Sequence, residues 1–169
     1  LEGGNISCIG SDHSPHPREL KELGWENVFY QPNGDPVPYG SPGVETIVQL
    51  VYSKGVREQG LPLKWMARVL SENPARIFGL YPRKGTIQVG SDADLTIVDP
   101  DARVTITEDR LLGKAGYTPY EGLEADGAVT MTLLRGKVLM ENGKVVQPTG
   151  YGNFLESGPP LAPVTGARG

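Results

Sequence analysis

The sequence predicts an α/β protein in which helices dominate up to about residue 82 and a small β unit comes after them. Residues 43–60 and 61–80 repeat apolar side chains at helical spacing. Residues 85–107 and 128–146 instead contain β-branched runs separated by Gly, Asp and Pro turns. We therefore divide the chain into residues 1–82, a β unit over 83–155, and a Gly- and Pro-rich tail over 156–169 that is expected to be disordered.

Glycine, proline and asparagine residues indicate where the helices are expected to begin and end. Gly55 or Gly60 would stop the helix that begins near residue 43. Pro62 suits the first turn of the next helix, and Asn73 would cap a separate short helix with Pro74 at its first position. These signals predict two helices between residues 61 and 80.

Turn chemistry and apolar runs locate the expected strands. Asn142 and Gly143 form a dipeptide that favours a type I′ hairpin within the β unit. Residues 5–12 form a short apolar run, which predicts a buried strand with Asp12 at its end and Cys8 inside it. The two prolines after this run hold residues 14–17 extended, so a helix does not explain the spacing of Asp12 and His16.

Composition excludes several classes of partner. The net charge of −4 shows no basic excess, so we expect no nucleic acid. No apolar run approaches the roughly 20 residues of a membrane span, so we expect no membrane partner. A single cysteine cannot form an internal disulfide, which favours a reducing compartment such as the cytoplasm.

Several motifs in one order carry a family resemblance. "SDHSPHPRELK" resembles the Asp-His-x-Pro-His segment of dihydroorotases and its counterpart in allantoinases. "PGVET", "LSENPARIFGLYPRKGTIQVGSDADLTIVD" and "GAVTMTLLRGKVLMENGKVV" are similar to the downstream segments of cyclic amidohydrolases, which include hydantoinase and dihydropyrimidinase. The resemblance spans about residues 5–155. It implies the C-terminal part of a metal-dependent (β/α)8 TIM barrel and part of a small β-sandwich, so we expect a C-terminal fragment.

The resemblance also implies roles for individual residues. Asp12 matches the aspartate of the last barrel strand, which binds the metal and carries the proton of the attacking water. His16 matches a histidine that contacts substrate, and Tyr39 and Gly40 match positions that touch substrate through the main chain. His13 would point away from Asp12 on an extended chain, so we expect a packing or supporting role. From the residues alone, a capping Asp, a loop histidine bonded to backbone and a simple Pro/Gly turn remain alternatives.

The implied cofactor is Zn²⁺, two ions per intact site bridged by a carboxylated lysine that lies outside this chain. The other ligands would be histidines, and this chain has only 2. One aspartate cannot hold a catalytic cation, so we expect the isolated chain to be inactive and to retain no stoichiometric metal. The family also implies a homo-oligomer for the full-length protein.

The ring that would be opened stays undecided at this point. Dihydroorotate, allantoin, hydantoin and dihydropyrimidine are all compatible with the motifs, although Tyr39 stands where hydantoinases tend to have Asn. A second hypothesis is a non-catalytic, dihydropyrimidinase-like scaffolding protein that keeps the fold and loses metal ligands. A third is a β-sandwich binding module without chemistry.

Overall fold

The structure is a computed structural model, and it describes residues 5–165. The α-helices are α1 (Arg18–Glu22), α2 (Ile47–Leu50), α3 (Leu63–Ala67) and α4 (Asn73–Ile77). Wider π-helical turns continue α2 over Val51–Glu58 and join α3 to α4 over Arg68–Glu72, and a 3-10 turn occupies Glu108–Arg110. The strands are β1 (Leu95–Ile106), β2 (Leu123–Leu134), β3 (Lys137–Glu141) and β4 (Lys144–Val145). None of the helices in residues 5–165 is long and apolar enough to cross a membrane.

The four strands form one small sheet in the order β1-β2-β3-β4. β3 and β4 pair antiparallel with Glu141 opposite Lys144. The two residues between them, Asn142 and Gly143, have φ values of 49° and 77°. Two consecutive positive φ angles define a type I′ turn, so the predicted hairpin is confirmed. The α/β class with a small sheet is confirmed as well.

The chain folds as two compact units, each made of separate segments. The first contains residues 5–10, 48–103 and 126–165 of the described chain. Its core is built from Leu61, Trp65 and Val69, which are buried and pack together. The second unit contains residues 11–47 and 104–125. The boundary that we place at residue 82 from the sequence concerns the intact protein and stays a prediction.

Two of the expected strands do not form. Residues 5–12 have no strand pairing, although the Ile9 N–H donates to the Val69 carbonyl at 3.0 Å. Cys8 is exposed, so its predicted burial is wrong. Residues 86–89 are also outside any strand, and Ile87 and Val89 are exposed. An apolar run becomes a strand only when it lies beside another strand, and no described strand lies beside either of these two segments.

The predicted capping role of Asn73 is wrong. Residues 63–77 form one continuous helical run, and Asn73 has helical φ and ψ within it. Its side chain is only 1% exposed and donates to the carbonyls of Ser7 (2.7 Å) and Val164 (3.1 Å). The Val164 N–H donates in return to Asn73 Oδ1 at 2.7 Å. Asn73 therefore joins three segments of the first unit instead of starting a helix.

The described part of the tail has no helix or strand but is bonded to the end of the helical run and to the turn directly after it. The Gly158 N–H donates to the Gly79 carbonyl at 2.9 Å, and the Leu161 N–H donates to the Arg76 carbonyl at 2.8 Å. Residues 166–169 of the predicted disordered tail lie outside the described residues.

A charged cluster precedes β1 in the first unit. The Lys84 ammonium contacts the carboxylates of both Asp92 (2.9 Å) and Asp94, and Arg83 contacts Asp92 at 2.9 Å. Burial lowers the pKa of Lys84, but the hydrogen bonds and charges of Asp94 and Asp92 outweigh it and raise that pKa above its usual value. Hydrogen bonds from Lys84 and Arg83 lower the pKa of Asp92. The cluster therefore stabilises the charged forms of Lys84 and Asp92.

Candidate active site

Asp12 lies in an exposed segment of the second unit that has no regular secondary structure. Its φ is 46°, in the left-handed region that Asp tolerates better than most residues. The residue is exposed, so its carboxylate is accessible from solvent. This position is compatible with a group that must reach a substrate or an ion.

His13 joins the segment after Asp12 to residues 41–44. Its Nδ1 accepts N–H groups from Gly43 (3.1 Å) and Val44 (3.2 Å), and Ser41 pairs with His13 in a parallel bridge. The Ser14 N–H donates to the Ser41 carbonyl at 3.1 Å. Because Nδ1 accepts two donors, the proton of the neutral ring lies on Nε2. His13 thus fixes the position of one loop against the other.

Ser14 lies between His16 and Gly40. The Ser14 hydroxyl is 3.4 Å from His16 Nε2. Gly40 has a φ of +93°, and a Cβ added to it would lie 2.5 Å from Ser14 Cβ. Only glycine fits there without displacing Ser14. The structure therefore brings together His13, His16 and Gly40, three of the residues singled out from the sequence.

Tyr39, the remaining predicted contact, precedes Gly40 and has an exposed side chain. The loop around it is held by residues that the sequence analysis missed. The Lys21 ammonium donates to the carbonyls of Pro38 (2.9 Å) and Gly40 (2.8 Å), and the Tyr117 hydroxyl donates to the Gly40 carbonyl at 3.4 Å. No local sequence pattern predicts these contacts, because Lys21 is 17 residues from Pro38 and Tyr117 is 77 residues from Gly40.

The "PGVET" motif supplies a second set of fixed contacts. The Glu45 carboxylate accepts the N–H groups of Leu112 and Gly113, both at 2.8 Å. The hydroxyl of buried Thr46 donates to the Gly43 carbonyl at 3.2 Å. Both polar side chains of the motif therefore bind backbone, which gives the motif a loop-shaping role.

Metal-ligand chemistry in the described chain is limited to single groups. Nowhere in residues 5–165 do three His, Cys, Asp or Glu side chains converge as possible ligands. Asp12 offers one exposed carboxylate, while Nδ1 of His13 is occupied by backbone donors. A zinc centre needs three or four ligands, so Asp12 fits one ligand position and these residues do not form a centre by themselves.

The comparisons with known proteins decide the family. Residues 4–139 match the Amidohydrolase family. The chain belongs to the amidohydrolase family. The resemblance to cyclic amidohydrolases is thereby confirmed, and members of this family such as hydantoinases and dihydroorotases are metal-dependent, typically with zinc.

Individual amidohydrolases resemble the chain over most of its length. An L-hydantoinase of Paenarthrobacter aurescens is 40% identical over 155 residues, which cover 92% of this chain and 32% of the relative. A dihydroorotase of Methanosarcina acetivorans is 41% identical over 157 residues, covering 92% and 31%. The crystal structure of a dihydropyrimidinase from Brevibacillus agri has a TM-score of 0.88 at 32% identity, covering 96% and 34%. The chain thus spans about a third of the length of these relatives.

Proposed function

We propose that the chain forms one wall of the active site in a cyclic amidohydrolase, an enzyme that hydrolyses a C–N bond in a ring. The observation that carries this proposal is the link between two loops. The residues directly after Asp12 are bonded to residues 41–44 through His13 and Ser14. An exposed acid beside a fixed loop with accessible backbone is a suitable arrangement for binding and protonating a small polar ring.

In this proposal Asp12 moves the proton. Ring opening requires a group that takes a proton from the attacking water and returns it to the leaving nitrogen. Asp12 would perform both transfers, and its exposure to solvent leaves the carboxylate free to do so. A carboxylate is also a suitable zinc ligand. When bound, the zinc pair would acidify the water and polarise the ring carbonyl.

His16, Tyr39 and Gly40 would hold the substrate. A histidine can donate a hydrogen bond to a ring carbonyl or carboxylate at neutral pH. Tyr39 and Gly40 would contribute backbone groups, which suit the alternating N–H and C=O groups of a cyclic amide. The Gly40 carbonyl already accepts from Lys21 and Tyr117, which leaves it less available to a substrate. The Tyr39 N–H has no hydrogen-bond partner within residues 5–165 and is a candidate donor.

The larger assembly is part of the same proposal. We infer that residues 1–82 complete a TIM barrel and that residues 83–155 complete a β-sandwich. The other zinc ligands, a His-x-His pair, a bridging lysine and two further histidines, would come from the remainder of that barrel. We also propose that the full-length protein is a cytoplasmic homo-oligomer. The alignment of this chain with about one third of each relative supports the same domain plan.

The alternative is a dihydropyrimidinase-like scaffolding protein without catalysis. The accessible carboxylate of Asp12 favours the enzyme over this alternative, because a scaffold does not require an acid at that position. A β-sandwich binding module would likewise leave the bonded loops of the second unit without a role.

The test is an assay of the full-length polypeptide, loaded with zinc, on dihydroorotate, allantoin, hydantoin and dihydrouracil. We expect turnover of at least one ring. Absence of turnover on all four, in a folded protein that binds two equivalents of zinc, would contradict the proposal. Absence of both turnover and zinc binding would favour the scaffold.

A further inference from the structure

The ammonium of Lys21 holds the loop that contains Tyr39 and Gly40. We propose that Lys21 is a positioning residue that sets substrate affinity, an inference that rests on the proposed cyclic-amide hydrolysis. Lys21 lies on α1, and its Nζ donates to the carbonyls of Pro38 at 2.9 Å and of Gly40 at 2.8 Å. Hydrogen bonds from a charged donor are stronger than neutral ones, so both peptide groups are firmly oriented.

The orientation of these carbonyls determines the direction of the N–H groups on the same peptides. A trans peptide is planar, and its N–H points opposite to its C=O. The Pro38 carbonyl shares a peptide with the Tyr39 N–H, which is therefore directed away from Lys21. Within residues 5–165 no hydrogen-bond partner is found for the Tyr39 N–H. It remains available as a donor for a ring carbonyl or carboxylate.

The second peptide held by Lys21 connects this donor to the acid. The Gly40 carbonyl belongs to the Gly40–Ser41 peptide, and Ser41 pairs with His13 in the parallel bridge. The Ser14 N–H donates to the Ser41 carbonyl on the next peptide. Lys21 thus fixes the loop between the Tyr39 N–H and the segment directly after Asp12. Loss of its ammonium would loosen the Tyr39 N–H, the donor that binds the substrate, while the segment directly after Asp12 keeps its own backbone contacts.

Lys21 is itself held in place. The Arg18 N–H donates to the Ala115 carbonyl at 2.9 Å, and Arg18 Nε donates to the Gly116 carbonyl at 2.7 Å. The adjacent Tyr117 hydroxyl donates to the Gly40 carbonyl at 3.4 Å. Hydrogen bonds therefore link α1, residues 115–117 and the Tyr39 loop to one another inside the second unit. A lysine on such a fixed helix acts as a stationary support for the loop.

A lysine that only stabilises the fold would give a different result from a positioning residue. A purely structural contact changes the melting temperature, but it leaves KM unchanged in the fraction of protein that is folded. A positioning contact for substrate binding raises KM while kcat changes little. The two roles are separated by measuring both kinetic parameters well below the melting temperature.

The experiment compares three variants of the full-length, zinc-loaded protein on its best ring substrate. Lys21→Met removes the ammonium and keeps the methylene chain, while Lys21→Arg keeps the charge and several donors. Lys114→Met is the matched control, because Lys114 is exposed in the same unit. We expect Lys21→Met to raise KM about tenfold with kcat within about threefold of the unsubstituted protein. Lys21→Arg should recover most of the loss, and Lys114→Met should match the unsubstituted protein.

The outcomes separate this inference from the function on which it rests. If the unsubstituted protein turns over a ring and Lys21→Met has the same KM as Lys114→Met, the positioning role is wrong while the function stands. A loss confined to kcat would also overturn it, since it would place the effect on chemistry. If the unsubstituted, zinc-loaded protein opens none of the rings, both proposals fail.

Discussion

Substitution of Gly40 by alanine tests the geometry of the candidate site. Gly40 has a φ of +93°, and its added Cβ would lie 2.5 Å from Ser14 Cβ, 2.8 Å from Ser14 Oγ and 3.1 Å from the Ser14 carbonyl oxygen. A side chain at such a φ costs about 1–2 kcal/mol in backbone strain. Forcing Ser14 to move adds about 1–3 kcal/mol of overpacking. We therefore expect Gly40→Ala to lower the free energy of unfolding by about 2–5 kcal/mol.

Gly34→Ala is the matched control in the same unit. Gly34 has a φ of +87°, but a Cβ there would meet nothing within 4 Å. This variant carries the backbone strain alone, so we expect a loss of about 1–2 kcal/mol. The assay is urea denaturation of both full-length variants, with kcat/KM measured on the same samples.

The difference between the two variants isolates the contact of Gly40 with Ser14. We expect kcat/KM to fall in Gly40→Ala and to remain near the unsubstituted value in Gly34→Ala, because Ser14 lies beside His16. Equal losses of stability in the two variants would refute the packing of Gly40 against Ser14 and the loop arrangement built on it.

Three further predictions concern stability and the chain by itself. Asn73→Ala should lower the free energy of unfolding by about 2–4 kcal/mol in urea denaturation, because it removes three hydrogen bonds of a side chain that is 1% exposed; a loss below about 1 kcal/mol would contradict the buried network. The pKa of Asp92 is lowered in the folded protein, so the stability that Asp92 contributes is present above its ordinary value of 3.8 and is lost as pH falls below it. The pKa of Lys84 is raised, so the stability that Lys84 contributes is present below its ordinary value of 10.5 and is lost as pH rises above it. Lys84→Met should make the urea midpoint of unfolding change less with pH at both the acidic and the basic end. A midpoint that varies with pH as in the unsubstituted protein would count against the ion pairs. The isolated 169-residue chain should show no hydrolysis above a metal-free blank, and turnover by it would overturn the need for ligands from elsewhere.

Features specified by local chemistry were predictable from the sequence. Asn142 and Gly143 both adopt positive φ, which these residue types tolerate better than others, and the hairpin forms where expected. Asn73 shows the opposite case. Its sequence position resembles a helix cap, but the burial of its side chain against Ser7 and Val164 decides its role. Such contacts join residues that are far apart in the chain, and a local pattern contains no information about them.

The same distinction applies to the candidate site. The motif containing Asp12, His13 and His16 is visible in the sequence, and its family is confirmed, while the roles of these residues stay predictions. The contacts of Lys21 with the loop at Gly40 could not be predicted, because they depend on how the intervening loop folds back. The expected strand before Asp12 does not form within the described residues, because none of them supplies a pairing strand, and its place in an intact barrel stays a prediction.

The most direct test of the proposed function is the kcat of Asp12→Asn in the full-length, zinc-loaded protein. Asparagine keeps the size of the side chain and removes its ability to accept and return a proton. We predict that kcat on the best ring substrate falls by about 10²–10⁴-fold in variant protein that is folded and has the same zinc content as the unsubstituted protein. A kcat within about threefold of the unsubstituted protein, at equal zinc content, would contradict the assignment of Asp12 as the proton carrier.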